Sequence, residues 1–460
     1  MSRPMIRTLL PFAVALILLP GMAGAEDLLQ AYQQARDSDP VLAQAGAQQR
    51  ATREGITQAR ALLLPQISAS YSYNRDHGTS SSTQPFNTSA GFQIFSFNSS
   101  NRSYGTTLQG TLSQTLFDFS KWSNYKASQA QAASQDASYE AQAQNLYLRV
   151  ATAYFAVLTA RDQLSFAEAN EKALASQLDQ AQQRFNVGLA AITDVNQAKA
   201  QHDAAVATVI SSRNTLDDAR EALTQITGKP ATDLRILRDD IPLVPPTPSD
   251  QEAWVNQALA QNPALLAQQQ QVRSADDSIS TARAGHLPTL SAQLTYTRAP
   301  GWGDQSSRLF GAYHTNTTRY DTAIGVVLSV PIFSGFATQS RVRQAIDQRD
   351  VQQDVLEQDR RALVRNTRNA YRSIIAGISS VEANRQAVIS AKSSLEATQA
   401  GYEVGTQTIV DVLLAQQTLF QAESAYSQAR HALVINQLTL RADAGTLGYQ
   451  DLEQVNALLK

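Results

Sequence analysis

The stretch RFNVGLAAITDV, residues 184–195, recurs 217 positions later as GYEVGTQTIVDV, residues 401–412. Nearer the N-terminus, Asp39-Pro40 recurs as Asn262-Pro263 at an offset of 223 positions. An offset that persists along most of a chain indicates an internal duplication. We therefore expect one structural unit to occur twice. The expected boundaries are a first repeat, a Pro-rich linker, a second repeat and a C-terminal segment: residues 26–228, 229–248, 249–445 and 446–460.

The sequence on either side of Gly188 predicts two long helices. No proline lies between Lys121 and Lys229, and the only glycines there are Gly188 and Gly228. Small and apolar residues follow the alternating spacing of four and three that is typical of a coiled coil, with one break at Glu171. A helix from Lys121 to Asn186 is about 100 Å long. We expect the same hairpin in the second repeat, with its turn at Gly405.

Two stretches with a period of two residues precede each long helix, and one further helix precedes each pair of stretches. The predicted strands cover about residues 65–75, 104–117, 289–298 and 319–333. Strands of about ten residues with aromatic residues near their ends are typical of outer-membrane barrels, although strands of a soluble sheet show the same pattern. The segments Asn74–Ser103 and Arg298–Thr318 are rich in Ser, Thr, Asn and Gly, and are expected to be surface loops.

Four strands cannot close a membrane barrel, because single-chain barrels begin at about eight strands. Unpaired strand edges are not tolerated in hydrocarbon, so the protomers have to share one barrel. Two chains and three chains both satisfy this strand count.

The composition argues against several classes of protein. The 460 residues include no cysteine, 38 basic and 40 acidic residues, and five histidines without ligand spacing. This composition excludes disulfides and thiolate metal sites, and it gives no support for nucleic-acid binding. We expect no metal, no cofactor and no enzymatic activity, because no spacing suggests catalysis.

The first 25 residues are expected to be a signal peptide. Arg3 and Arg7 precede the apolar stretch from Leu9 to Leu19, and Ala23-Gly24-Ala25 is a small-residue cleavage site. No later run approaches the ~18 apolar residues of a membrane helix.

These motifs resemble the TolC family of trimeric outer-membrane efflux and secretion channels. The resemblance runs over essentially the whole mature chain and is most specific in residues 184–195 and 401–413, with further likeness at Gly285-His286-Leu287-Pro288 and Ile226-Thr227-Gly228. It implies a mixed α+β membrane protein in which a trimeric twelve-stranded β-barrel in the outer membrane of a Gram-negative bacterium continues as an α-helical coiled-coil tunnel through the periplasm. It also implies a passive gated duct for drugs or proteins, with a periplasmic adaptor and an inner-membrane transporter of the ABC or RND type as partners.

The resemblance assigns functional roles to residues at the two helix turns. A tunnel-end ring of acidic side chains matches Asp411, and a second acidic position of the family falls at Leu414 here. The closed-state network of the family matches Thr193, Asp194 and Tyr402, but its arginine is replaced by Gln407. The tips that dock the adaptor in the family match Val187, Gly188 and Leu189 in the first repeat, and Val404, Gly405 and Thr406 in the second.

Simpler interpretations stay open for most of these residues. Thr193, Asp194 and Asp411 follow helix-ending glycines and are also suited to capping the next helix. Tyr402 lies on the heptad stripe, where core packing explains it equally well. A periplasmic coiled-coil tether would keep the helices without needing membrane-facing strands, and an exported hydrolase would need a cleft with an acid and a base.

Overall fold

A computed structural model describes residues 26–231, 233–307 and 311–460 of the chain. The expected signal peptide, residues 1–25, lies outside the described residues. The elements follow in this order: α1 Leu28–Ser38, α2 Pro40–Ala61, β1 Gln66–Thr88, β2 Gly91–Phe117, α3 Phe119–Asn186, α4 Ile192–Thr227, α5 Gln251–Gln261, α6 Pro263–Arg283, β3 Thr289–Ser307, β4 Gly311–Ser329, α7 Ala337–Glu403, α8 Ile409–Asp443 and α9 Tyr449–Asn456.

The same order of elements occurs twice, as two helices, a strand pair and a long helical hairpin. Two helices precede each strand pair, where the sequence predicted one. The break falls at Asp39-Pro40 and at Asn262-Pro263, because proline occupies the first helical position and cannot donate a backbone hydrogen bond. Asp39 and Asn262 cap the helices that follow, and Asp39 accepts a hydrogen bond from the Leu42 N–H at 2.8 Å.

The four strands form one antiparallel sheet in the order β1-β2-β3-β4. The expected surface loops are instead continuations of the two hairpins, which pair as far as Thr88 with Gly91 and Ser307 with Gly311. Their polar residues pair across the strands on both faces, as Ser80 does with Ser99 at 2.8 Å between hydroxyl oxygens. The outer halves of the strands therefore lack the alternation of apolar and polar residues that sequence reasoning relies on.

The last strand ends earlier than predicted. β4 ends at Ser329, whereas its apolar pattern continues to Phe333. Pro331 has no N–H for a ladder hydrogen bond, and Gly335 and Phe336 adopt left-handed conformations with φ of 58° and 62°. The chain therefore turns here into α7.

One face of the sheet is apolar and exposed in the single chain. Ile67, Leu112, Leu294 and Ile324 are directly paired across the four strands, so their side chains form one row on one face. Ile67 and Ile324 are each 82% exposed. The adjacent positions on the opposite face, Ser68, Thr111, Thr295 and Ala323, are mostly polar. The sheet is therefore amphipathic, and nothing among the described residues covers its apolar face.

The long helices pack as two hairpins, α3 with α4 and α7 with α8. The break in the heptad pattern at Glu171 is explained by a polar pair, in which Glu171 Oε1 lies 3.0 Å from Nε2 of His202 on α4. In the second repeat the equivalent positions are Val388 and Leu419, which are both apolar. No described helix is both long and apolar enough to cross a membrane.

The linker packs halfway along the hairpins, against both ends of the described chain. The Arg235 N–H donates to the Glu26 carbonyl at 3.1 Å, and the Lys460 N–H donates to the Ile236 carbonyl at 2.8 Å. The Tyr154 hydroxyl of α3 donates to the carbonyls of Glu26 and Arg235 at 3.0 and 2.9 Å. The linker and the two chain ends together pack against the largest apolar cluster, which includes Leu28, Leu146, Phe155, Leu223, Leu438 and Leu452.

A buried ion pair distinguishes the first repeat from the second. Arg149 of α3 donates to both carboxylate oxygens of Asp39, at 3.2 and 2.6 Å, and Asp39 is 3% exposed. Burial raises the pKa of Asp39, but the hydrogen bonds from Arg149 and from the Leu42 N–H hold this pKa below its ordinary value. The equivalent positions in the second repeat are Asn262 and Asn366, so no ion pair forms there.

We expect Arg149→Ala to lower the melting temperature of the detergent-solubilised protein, because an uncompensated buried carboxylate costs about 3 to 5 kcal/mol. The double variant Asp39→Asn, Arg149→Asn reproduces the residues of the second repeat and should cost much less. The stabilisation by the pair is present above the ordinary aspartate pKa of about 4 and is lost as pH falls through the lower folded-state value. Equal melting of the single and double variants at pH 7 would show that the pair carries no such energy.

Candidate functional site

The two hairpin tips have the same backbone structure. At the end of α3, Gly188 has φ of 77°, its N–H donates to the Phe185 carbonyl, and the Leu189 N–H donates to the Arg184 carbonyl at 2.8 Å. At the end of α7, Gly405 has φ of 81°, and the Thr406 N–H donates to the Gly401 carbonyl at 2.8 Å. Both are Schellman motifs, in which a left-handed residue lets the last helical carbonyls be satisfied. Glycine reaches this conformation without steric cost.

Apolar side chains project from both tips. Val187 is 69% exposed, Leu189 is 71% exposed and Val404 is 76% exposed, and Thr406 takes the position of Leu189 in the second repeat. A Cβ atom added at Gly188 or Gly405 would meet no atom within 4 Å. The tips are therefore exposed surfaces whose apolar side chains can contact another protein. Substitution at the glycines would act through backbone strain, because no neighbouring atom would collide with the added side chain.

The helices that leave the two tips begin differently. At α8, Thr408 and Asp411 form a capping box, in which Asp411 Oδ2 accepts from the Thr408 hydroxyl at 2.7 Å and from its N–H at 2.9 Å. At α4, the N-cap is Ala191, which has no side-chain acceptor. The cap interpretation of Asp411 is thus correct for this chain, whereas Thr193 and Asp194 do not cap α4.

Capping leaves part of the Asp411 carboxylate available. Hydrogen bonds from the Thr408 hydroxyl and N–H hold the pKa of Asp411 below its ordinary value. Both of these bonds go to Oδ2, and Oδ1 accepts no hydrogen bond from the described residues. Leu414, one turn further along α8, is 61% exposed. An ionised carboxylate oxygen and an exposed leucine therefore lie in succession along the first turns of α8.

Tyr402 is held between the two hairpins. Its ring is 7% exposed and packs with Leu395, Ile409, Val412 and Leu413. The guanidinium carbon of Arg184, at the first tip, lies 4.7 Å from the centre of this ring. The Tyr402 hydroxyl is buried and has no hydrogen-bond partner among the described residues. A buried, unpaired hydroxyl is costly for the single chain.

A single chain does not assemble the network that the sequence predicted. Thr193 and Asp194 contact each other, with 3.4 Å between Thr193 Oγ1 and Asp194 Oδ1, but no hydrogen bond joins either of them to Tyr402 within the described residues. Gln407 folds back onto its own turn, where its N–H donates to the Gly401 carbonyl at 3.2 Å. Arg184 is the residue that sequence reasoning missed. It occupies the last turn of α3, and no pattern in one sequence connects it with Tyr402, which lies 218 positions later on another helix.

The architecture of two long helical hairpins continued by an amphipathic antiparallel sheet is that of the outer-membrane channels. The family model described as "Outer membrane efflux protein" matches residues 31–229 and 254–446, which is one match in each repeat. This chain therefore belongs to the outer membrane efflux protein family.

Individual relatives agree with this assignment. The chain is 38% identical over 461 residues to outer membrane protein TolC of Escherichia coli, covering 99% of this chain and 90% of that protein. It is 31% identical to the alkaline protease secretion protein AprF of Pseudomonas aeruginosa, covering 97% and 90%. Among solved structures, the outer membrane protein VceC of Vibrio cholerae shares the fold, with a TM-score of 0.73 at 17% identity and coverage of 91% of this chain and 96% of that one. These relatives are channel and secretion proteins, not enzymes, and the resemblance to the TolC family is confirmed.

We expect Tyr402→Phe to raise the open probability of the channel, because it removes a hydroxyl of the expected closed-state network while it preserves the ring under Arg184. Arg184→Gln should also raise the open probability, since a cation over an aromatic ring contributes about 0.5 to 2 kcal/mol. Single-channel recording in planar bilayers measures both effects.

Tyr426→Phe is the matched control for these variants. Tyr426 also lies under an arginine, with the Arg430 guanidinium carbon 5.2 Å from its ring centre, but it lies far from the tips along α8. Gating should be unchanged in this control. An unchanged gate in Tyr402→Phe as well would assign Tyr402 to core packing alone.

Proposed function

We propose that this chain forms a passive, gated exit duct that carries substrates from an inner-membrane pump across the periplasm and the outer membrane. Three chains would share one barrel of twelve strands, and their long hairpins would continue it as a helical tunnel. Residues 229–248 and 446–460 would form an equatorial belt around the tunnel. The chain would be exported by its N-terminal signal peptide.

The observation that carries this proposal is the exposed apolar face of the sheet together with its two unpaired edges. Among the described residues, β1 and β4 each pair on one side only. Exposed edges and an apolar face are incompatible with a water-filled space, but a closed barrel in a membrane satisfies both. A periplasmic tether would leave Ile67, Ile324 and their neighbours in water, so the tether is disfavoured.

The strand count permits the proposed three chains, and the resemblance to the TolC family favours three over two. Three chains supply twelve strands, and the two hairpins of each chain supply twelve helices in total. Twelve strands tilted in a barrel enclose a lumen. Along each strand, residues that face this lumen alternate with residues that face lipid. The polar face, which includes Ser68, Thr111 and Thr295, would line this lumen.

The partners and the cargo follow from the relatives. TolC is named an outer membrane protein, AprF is named for alkaline protease secretion, and BepC of Brucella suis is named an efflux protein. We propose that a periplasmic adaptor docks at the tips, Val187–Leu189 and Val404–Thr406, and that a transporter of the ABC or RND type supplies drugs or proteins. The apolar face of the sheet would contact outer-membrane lipid.

The proposed gate lies where α8 leaves the second tip. Oδ2 of Asp411 caps the helix, and Oδ1 is free to face the threefold axis, so capping and cation binding are compatible. Three such carboxylates would attract cations and raise one another's pKa, against the lowering by Thr408. Leu414 would add an apolar constriction worth about 25 cal/mol per Å² buried. The network would join Tyr402, Thr193, Asp194 and Gln407 between protomers, with Gln407 forming a neutral bond about half as strong as that of an arginine.

In planar bilayers, the purified protein should form cation-selective channels that divalent ions block. We expect Asp411→Ala to reduce both selectivity and block, Leu414→Asp to increase both, and Gln407→Arg to lower the open probability. The first two directions follow from the charge removed from or added to the pore, and the third follows from the stronger charge-assisted bond that an arginine would form in the closed state.

Asp411→Asn separates the gate from the helix cap. The side-chain oxygen of asparagine still accepts from the Thr408 N–H, so the cap is preserved while the charge is lost. Selectivity and block should fall as far in Asp411→Asn as in Asp411→Ala. Full selectivity in Asp411→Asn would mean that Asp411 serves only as a cap.

Adaptor docking is tested by Gly188→Ile together with Gly405→Ile, because a β-branched residue is strained at the positive φ of both turns. Export of substrate should fail while the amount of trimer in the outer membrane stays normal. The matched control is Gly188→Asn with Gly405→Asn, since asparagine tolerates this conformation. Normal export in the isoleucine variant would exclude these turns from docking.

A further inference from the structure

Basic residues surround the base of the sheet, where four helices meet it. The adjoining turns of α2, α3, α6 and α7, residues 57–61, 119–126, 279–283 and 337–344, contain no acidic residue. The same turns contain six basic residues, here called the basic collar: Arg60, Lys121, Lys126, Arg283, Arg341 and Arg343. The chain as a whole carries a formal charge of −2, so this charge is local to the junction.

Both repeats carry this positive charge at equivalent positions. Arg283 lies 223 positions after Arg60, and Arg343 lies 217 positions after Lys126, which are the offsets of the internal repeat. Arg60 and Arg283 are the same residue, whereas Lys126 and Arg343 share only their positive charge. The repeats have therefore kept the charge at both positions but not the side-chain shape. Both repeats therefore place cations at the same height, at the end of the second helix and at the start of the long helix.

The collar cations have no acidic partner among the described residues, although their side chains are accessible. Five of the six are exposed, and Lys121 is half-buried, with its Nζ 2.6 Å from the Thr115 hydroxyl. Further along α7, five of the seven arginines form ion pairs. Arg349, Arg361 and Arg368, for example, pair with Asp276, Glu357 and Glu252. The same helix thus pairs most of its arginines away from the sheet and neither of the two beside it.

Exposed aromatic side chains lie on the sheet side of the collar. They are Phe117 at 50% exposure, Phe119 at 40%, Phe333 at 77% and Phe336 at 69%. Lys126 Nζ lies 5.8 Å from the ring centre of Trp122, which is itself 45% exposed. The surface therefore changes from apolar sheet through a ring of aromatic side chains to a ring of cations that form no ion pairs among the described residues. Aromatic rings and long cationic side chains in this order are typical of a membrane–water interface.

We infer that the basic collar binds the anionic headgroups of phospholipids in the membrane leaflet that faces the helices. This inference rests on the proposed function, since it requires the sheet to lie in a membrane. Continuity with the apolar sheet face identifies lipid as the occupant, because a bilayer surrounding the sheet brings phosphate groups to this height on every side. Each accessible Lys or Arg at a membrane surface strengthens the attraction to anionic lipid, and salt screens it.

The test measures which lipids stay bound to the full-length protein. Detergent-purified protein is mixed with equal amounts of phosphatidylglycerol and phosphatidylcholine of the same acyl chains, and native mass spectrometry counts each bound lipid. We expect the wild-type protein to retain phosphatidylglycerol in about tenfold preference at low salt, falling towards equal retention at about 0.5 M salt. The collar variant, Arg60→Gln, Lys126→Gln, Arg283→Gln and Arg343→Gln, should bind both lipids about equally.

Two further variants make the result specific. Arg360→Gln, Arg361→Gln, Arg365→Gln and Arg372→Gln remove the same charge from exposed positions of α7 away from the sheet, and should keep the wild-type preference. The charge-preserving variant, Arg60→Lys, Lys126→Arg, Arg283→Lys and Arg343→Lys, should keep it also. Equal retention of the two lipids by wild-type protein, or an undiminished preference in the collar variant, would overturn the inference. Channel conductance measured on the same preparations distinguishes this failure from failure of the proposed function.

Discussion

The rest of the architecture depends on a sheet that one chain cannot complete. β1 and β4 each have an unpaired edge, and the apolar row through Ile67 and Ile324 faces away from every described element. Backbone groups in hydrocarbon have to be hydrogen-bonded, so in the proposed duct the edges would meet edges of other chains. Closure of this barrel would fix the helices below it into a ring, and the ring would bring the hairpin tips together around one axis.

The duplication built this chain from one unit, and the differences between the repeats show where each has specialised. The first repeat holds buried or half-buried polar pairs, Asp39 with Arg149 and Glu171 with His202, where the second has neutral or apolar residues. The second repeat instead carries the capping box of Thr408 and Asp411 at its tip. Arg184 over Tyr402 connects the two hairpins at the end where the tunnel would close. Specialisation of this kind fits a pore with a gate at only one end.

Features that depend on local interactions were predictable from the sequence, and features that depend on contacts between distant residues were not. The helix ends at Asn186 and Glu403 are predictable, because a glycine in a left-handed turn terminates a helix wherever it packs. The outer halves of the strands were not predictable from hydrophobicity, because polar residues such as Ser80 and Ser99 are joined there by backbone pairing and a hydroxyl–hydroxyl bond rather than by apolar contact. The capping role of Asp411 was open to sequence reasoning through the spacing Thr-x-x-Asp. The contact of Arg184 with Tyr402 was not, because it joins two helices that no local signal relates.

The number of chains in the barrel is the central claim, and the absence of cysteine allows a direct measurement. One cysteine introduced on β1, within residues 66–73, and one on β4, within residues 322–329, lie on opposite edges of the same sheet and can be joined only between chains. Oxidative crosslinking in native membranes, read on a denaturing gel, should give a ladder that stops at three chains for at least one pair of positions. A ladder that stops at two, one that continues beyond three, or no crosslink at any pair of positions would contradict the shared barrel of twelve strands.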